Sequence, residues 1–231
     1  MATHDPQAPG GAPPSVLRVL YLHGFASGPA STKGVAFERF FAAHGIVIER
    51  LDLRRPSLQH LRLSSILATV DSSLEGAERV VLIGSSLGGL AAARVAERDP
   101  RVVALVLLAP AFRLMERWRA RLGEEEWEGW RQRGWLEVHD FTTDRPTRVD
   151  FGFAEDAAAI DAAGDGWPRI TVPTLMFHGL RDDVVDIGLS RQVVARHPEV
   201  RLLELNDDHQ LVDSLPRLLT ETYEFLIQHG A

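Results

Sequence analysis

The sequence predicts an α/β fold, a mostly parallel sheet of about six strands with helices on both faces. Three observations predict it. Six short runs rich in Val, Ile and Leu have the length and composition of strands buried on both sides. Helical patterns lie between most of these runs, and right-handed crossovers of that kind place helices over a parallel sheet. One run, Val80-Val81-Leu82-Ile83, passes into Gly84-Ser85-Ser86-Leu87-Gly88 and then directly into a helix-forming segment.

The elements follow in order. The first strand is Val16 to Leu22. The helix after it shows Phe37, Phe40, Phe41 and His44 at helical spacing and stops at Gly45. Ile46 to Leu51 forms the second strand, and Ile66, Val70 and Leu74 outline a helix ending near Gly76. Val80 to Ile83 is the third strand; Leu90, Ala93, Val95 and Ala96 mark the helix that follows and stops before Asp99-Pro100. The fourth, fifth and sixth strands are Val102 to Leu108, Thr174 to Phe177 and Val200 to Leu205. Leu215, Leu218, Leu219, Thr222, Tyr223 and Leu226 share a face, so a helix closes the chain.

The interval of about 111–170, between the fourth and fifth strands, is too long for an ordinary connection and reads as a cap insertion. It holds all five tryptophans, Trp118, Trp127, Trp130, Trp135 and Trp167. Leu136 to Phe141 and Thr147 to Phe153 have the pattern of a hairpin. Two roles are open to these aromatics: a small core for the insertion, or an apolar underside lining a substrate pocket, with Trp118, Trp127, Trp130 and Trp135 as the pocket candidates. Arg113 to Arg121 alternates with Glu and Trp and reads as a solvated helix face.

A chain of 231 residues can bury one sizeable core, so residues 16–231 are expected to form a single domain. Residues 1–15 are rich in Pro and Gly and read as a disordered tail, with neither the basic start nor the apolar centre of a secretory signal. Cytoplasmic residence is the expectation. No apolar stretch is long enough to cross a bilayer. A net charge of -7 argues against nucleic acid as a partner, because phosphates require a concentrated basic face. The absence of cysteine excludes disulfides, thiolate metal sites and cysteine nucleophiles. The sequence carries no signal for an oligomeric state.

Gly-x-Ser-x-Gly between strand and helix is a nucleophile elbow, whose tight turn lifts the serine hydroxyl clear of the sheet. Only Ser86 is its middle residue, so Ser86 is the nucleophile candidate. A serine hydroxyl is protonated at neutral pH and needs a base, and the base needs an orienting group. Asp182 lies just past the fifth strand and is the acid candidate, with Asp183 and Asp186 as competitors. His209 lies just past the sixth strand and is the general-base candidate. An Asp207-Asp208-His209 metal cluster is disfavoured, since neighbours on a short loop rarely converge on one ion without distant ligands; no metal is expected. The N–H groups of Leu87, at a helix start, and Phe25, in the loop after the first strand, can serve an oxyanion. His23 is read as holding that loop through its side chain.

Tyr21-Leu22-His23-Gly24-Phe25, Gly84-Ser85-Ser86-Leu87-Gly88-Gly89, His178-Gly179-x-x-Asp182-x-x-Val185 and Asp208-His209-x-Leu211, in this order, resemble the α/β-hydrolase superfamily and, more narrowly, its small bacterial YqiA-like esterases. The resemblance spans nearly the whole chain after the tail. It implies an α/β-hydrolase fold and a carboxylesterase with Ser86 as nucleophile, Asp182 as acid, His209 as base, and Phe25 and Leu87 as the oxyanion hole. The tryptophan-rich insertion is a departure, longer than the smallest members carry. The expected activity is hydrolysis of short to medium-chain carboxylic esters through an acyl-enzyme. The partner is a small acyl ester, and no cofactor is required. Thioesterase, peptidase and carbon-carbon hydrolase chemistry share the same residues, and a non-catalytic ligand-binding homologue is the reading from a different class.

Overall fold

The computed structural model describes residues 17–163 and 166–229. The expected tail, residues 1–15, lies outside them, as does Val16. The elements run β1 (Leu17–Leu22), α1 (Thr32–Ala42), β2 (Ile48–Leu51), α2 (Leu63–Ser73), β3 (Arg79–Ser85), α3 (Leu87–Ala96), β4 (Val102–Leu108), α4 (Leu114–Arg133), β5 (Trp135–Asp140), β6 (Arg145–Asp150), α5 (Gly152–Ala162), β7 (Thr174–Gly179), α6 (Ile187–Arg196), β8 (Val200–Leu205) and α7 (Leu215–His229).

A six-stranded sheet has the order β2-β1-β3-β4-β7-β8, every pair parallel. Alternation along the strands sends side chains to two cores. Val19, Tyr21, Val81, Ile83, Val106 and Leu108 meet Phe37 and Phe41 of α1 and Leu218 and Leu226 of α7. Leu20, Leu22, Leu82, Leu105 and Leu107 meet α2, α3 and the insertion. Helices therefore cover both faces, as the apolar central runs of β3 and β4 required. β2 begins two residues later than the pattern suggests because the Ile46 N–H closes the end of α1 on Phe41 O, 2.9 Å away.

The insertion contains α4, the antiparallel hairpin β5-β6 and α5. The second hairpin strand stops at Asp150, not Phe153. There the Phe151 carbonyl already accepts from Ala154 and Glu155 and opens α5. The hairpin is anchored to the loop after β2: Arg54 grips Asp140 with two bonds of 2.9 and 2.7 Å, and Arg62 pairs with Asp150 at 2.6 Å. Its core is continuous with the sheet core through Trp130, Val149 and Phe153.

Chain order departs from β1 in opposite directions towards β2 and β3, and the crevice at such a reversal, outside the strand C-termini, is where open α/β sheets bind ligands. The turn from β3 into α3 is packed there without spare room. A Cβ on Gly84 would stand 2.4 Å from Gly88 O, and one on Gly88 would stand 2.2 Å from Leu22 O. Both neighbours are backbone, so neither can yield without moving a strand or a helix. Gly88→Ala is accordingly expected to lower stability by about 3 kcal/mol, the upper range for overpacking, measurable by denaturant unfolding. A loss under about 1 kcal/mol would mean that α3 can slide away from β1.

Candidate active site

Ser86 stands between β3 and α3 with φ 52° and ψ −114°, a conformation that a residue with a Cβ adopts only when its surroundings impose it. Two backbone bonds impose it: Ser86 N–H donates to Leu108 O at 2.9 Å, and Ala111 N–H donates to Ser86 O at 3.0 Å. The side chain is thereby directed outward. Its hydroxyl lies 3.1 Å from His209 Nε2, and His209 Nδ1 lies 2.8 Å from Asp182 Oδ2. A carboxylate only accepts, so Nδ1 carries the imidazole proton and Nε2 presents a lone pair to the serine O–H.

The loop after β7 carries Asp182 and the loop after β8 carries His209, and the two are stitched together. Leu180 N–H donates to Leu205 O at 2.7 Å and Arg181 N–H to Asp207 O at 3.0 Å. The Asp182 side chain is fully buried; its Oδ1 accepts from the N–H groups of Val184 and Val185 at 2.9 and 2.8 Å, and His178 Nε2 lies 3.1 Å from Oδ2. Burial opposes ionisation here. The hydrogen bonds from His178, His209 and Val185 outweigh it and hold the Asp182 carboxyl well below the usual carboxylate range. His178 must itself be protonated on Nε2, because that nitrogen also meets the Val185 carbonyl at 2.8 Å, and its Nδ1 meets Ser190 Oγ at 2.7 Å. Of the rival acids, Asp186 caps α6 through Gly188 N–H at 2.7 Å, and Asp183 is exposed.

Asp207 and Asp208 shape the loop that bears His209. Asp207 accepts from the N–H groups of Asp208 and Ser214, both at 2.8 Å, and Asp208 from that of Gln210 at 2.7 Å. His23 acts on the opposite loop as the sequence suggested: Leu53 N–H donates to its Nε2 at 3.1 Å, leaving Nδ1–H to donate to Gly24 O at 2.9 Å. Burial pushes its pKa down, more strongly than the Gly24 bond raises it, and favours this neutral form. Gly24 faces Ser86 so closely that a Cβ on it would touch Ser86 Cβ at 3.4 Å. Leu87 is the first residue of α3, so its N–H has no intrahelical acceptor. Leu87 and Phe25 both line the space in front of Ser86.

That space is a cavity of about 720 Å³, within the range of small-molecule sites. Trp118 lines it, packed edge-on against Phe25 at 5.0 Å between ring centroids. The other three tryptophans expected there do not. Trp130 is completely buried and donates its Nε1–H to Val149 O at 3.2 Å, with Trp127 against its edge. Trp135 lies between Arg148 and His60 on the outer side. A tryptophan's identity does not reveal which way its helix or strand turns it: Trp118 lines the cavity, whereas Trp130 lies in the core.

Two features of the wall escape the sequence reading. Lys33 is buried and donates to Gln210 O at 2.5 Å, tying α1 to the histidine loop. Burial pushes its pKa down to about 8, against the attraction of Asp208, Asp207 and Asp182. Its signal was present, since Lys33 continues the buried stripe of Phe37 and Phe41 one turn earlier. Arg117 and Arg121 both line the cavity; Arg121 is exposed, as a solvated helix face requires, and Arg117 is half-buried. The Arg117 guanidinium donates to the carbonyls of Phe112 and Val184 at 2.9 and 2.8 Å.

Comparison with known proteins agrees with this architecture. The sequence profile of an uncharacterised protein family, UPF0227, matches residues 18–226. No curated protein matches the sequence. Among solved structures, mouse alpha/beta hydrolase domain-containing protein 10 superposes with a TM-score of 0.75 at 22% identity, covering 95% of this chain and 92% of that one. Est1E from Butyrivibrio proteoclasticus with ferulic acid bound gives 0.77 at 20%, covering 94% and 90%. A monoacylglycerol lipase of Paleococcus ferrophilus gives 0.74 at 18%, covering 92% and 94%. These likenesses establish the α/β-hydrolase fold.

Proposed function

This chain belongs to the UPF0227 family, and we propose that it is a serine hydrolase cleaving short to medium-chain carboxylic esters through an acyl-enzyme intermediate. The observation that carries the reading is the hydrogen-bonded chain Ser86–His209–Asp182 at one side of a cavity large enough for a small ester. Ser86 Oγ attacks the ester carbonyl while His209 Nε2 takes its proton, and the buried Asp182 carboxylate stabilises the imidazolium that forms. The N–H groups of Phe25 and Leu87 receive the oxyanion. His209 then protonates the departing alcohol, and a water deprotonated by His209 releases the acid. Every proton in this cycle moves through one nitrogen, so no cofactor enters it. The names of the esterase and the lipase among the structural neighbours are in keeping with ester chemistry on this fold.

Labelling by a fluorophosphonate probe tests the reading, because only an activated serine attacks phosphorus at a useful rate. One equivalent of label on the peptide containing Ser86 is the expected result. Turnover of p-nitrophenyl esters from acetate to palmitate, beside matched thioester and amide substrates, reads the acyl range. No label together with no turnover overturns the proposal.

A further inference from the structure

The cavity-facing side of α4 differs from the rest of that helix in how its arginines are neutralised. Arg119, Arg131 and Arg133 each pair with a glutamate of α4: Glu124 at 2.5 Å, Glu128 at 2.6 Å and Glu126 at 2.6 Å. Arg117 and Arg121, one turn apart on the face that also carries Leu114, Trp118 and Leu122 into the cavity, form no ion pair with any described carboxylate. Arg121 makes no hydrogen bond within the described residues, and Arg117 reaches only carbonyl oxygens. Two cations at this spacing repel one another. Burial, with Arg121's charge adding to it and against the attraction of Asp182, pulls the Arg117 pKa down to about 10. Glu137 is the one carboxylate lining the cavity among the described residues, whereas Lys33 adds a further cation. A chain of net charge -7 thus turns a positive wall towards its own nucleophile.

We propose that Arg121, backed by Arg117, binds an ionised oxyacid group of the substrate, so that the preferred ester carries a carboxylate or phosphate in addition to the bond that is cleaved. The planar guanidinium fork matches either anion, and an apolar cavity with a cationic wall concentrates such a ligand from solution. This deepens the ester-hydrolase reading and rests on it. Arg121 would act in binding and selectivity, outside the proton-transfer chain.

The test compares matched esters at low ionic strength. Mono-p-nitrophenyl glutarate against p-nitrophenyl valerate places the charge on the acyl half. Carboxymethyl butyrate against isobutyl butyrate, followed by pH-stat, places it on the alcohol half. In one pair the charged member is expected to have a kcat/KM about tenfold higher, a preference that Arg121→Gln reduces about tenfold, Arg121→Lys reduces less, and added salt weakens. The proposal is overturned if the neutral ester is equal or better in both pairs of the unaltered protein, or if a correctly folded Arg121→Gln keeps the preference. Calorimetric binding of adipate and of butyl phosphate to Ser86→Ala reads the same wall without chemistry, and the tighter of the two identifies the anion. Should no ester turn over and no fluorophosphonate label appear, the hydrolase reading fails. Binding that disappears in Ser86→Ala/Arg121→Gln then still supports the anion site, and absence of binding to Ser86→Ala sinks it.

Discussion

Replacing Ser86 by alanine is expected to lower kcat for p-nitrophenyl butyrate by about 10⁵- to 10⁶-fold, the scale at which a serine nucleophile is missed when its base and oxyanion donors remain. The substitution removes one oxygen and leaves the elbow unchanged. Alanine keeps the Cβ, so it tolerates φ 52° no worse than serine does, and the backbone bonds to Leu108 and from Ala111 involve no side-chain atom. The only interaction lost is the 3.1 Å bond to His209, a net contribution of about 1 kcal/mol, equivalent to about 2–4 °C in Tm for a chain of this size. Activity should thus vanish in a protein that unfolds almost where the parent does. Ester kinetics and a thermal melt on the same preparation measure both. A variant that keeps more than about 1% of the parental kcat would place the nucleophile elsewhere, and an unfolded variant would show that the elbow depends on a hydroxyl contact beyond the bond to His209.

The central strands of this architecture were legible in the sequence because they are buried on both faces. A central parallel strand covered by helices on both faces has no polar positions to interrupt it, so Val102 to Leu108 was readable to the residue; at the edge, Val200 to Leu205 keeps an apolar run although Arg201 and Glu204 are exposed. The placement of Ser86, Asp182 and His209 at one end of the sheet was legible because Ser86 follows directly on β3 and the other two lie in the short loops after β7 and β8. The walls of the cavity were not legible for the converse reason. A cavity is solvent as far as residue patterning is concerned, and Arg117 and Arg121 carry the signature of an outer helix face while lining the same cavity as Ser86. His178 was hidden differently. It lies within a strand, and only the return of the chain at Val185 gives its ring the carbonyl that orients Nε2 towards Asp182. The hairpin was visible as alternation, but its end was not, because the Phe151-Gly152-Phe153 segment fits strand and helix patterns alike and the anchoring of Asp150 by Arg62 decides between them.

Asp182→Asn carries the second large effect, and it follows from the number of donors aimed at one carboxylate. Four N–H groups converge on it, from Val184, Val185, His178 and His209. Asparagine offers one oxygen and one NH₂, so one pair of donors must face a donor whichever way the amide turns. His178 can retain the Val185 carbonyl. His209 has no such alternative, and an amide N–H opposite its Nδ1 drives the imidazole proton to Nε2, where it blocks transfer from Ser86. kcat should fall about 10³- to 10⁴-fold. Stability should fall as well, by about 3 kcal/mol for donors left without acceptors in a buried site, or about 6–12 °C in Tm. The pH dependence separates this account from simple loosening of the loop. Because the folded carboxyl is held well below its usual range, its stabilising contribution is complete above the unfolded value of about 3.9 and is lost as pH falls towards the folded value. The Tm difference between parent and variant should therefore stay constant between about pH 5 and 8 and narrow below about pH 4. A difference that persists unchanged in acid would show that the folded carboxyl titrates where the unfolded one does, so that the four donors do not favour its ionised form.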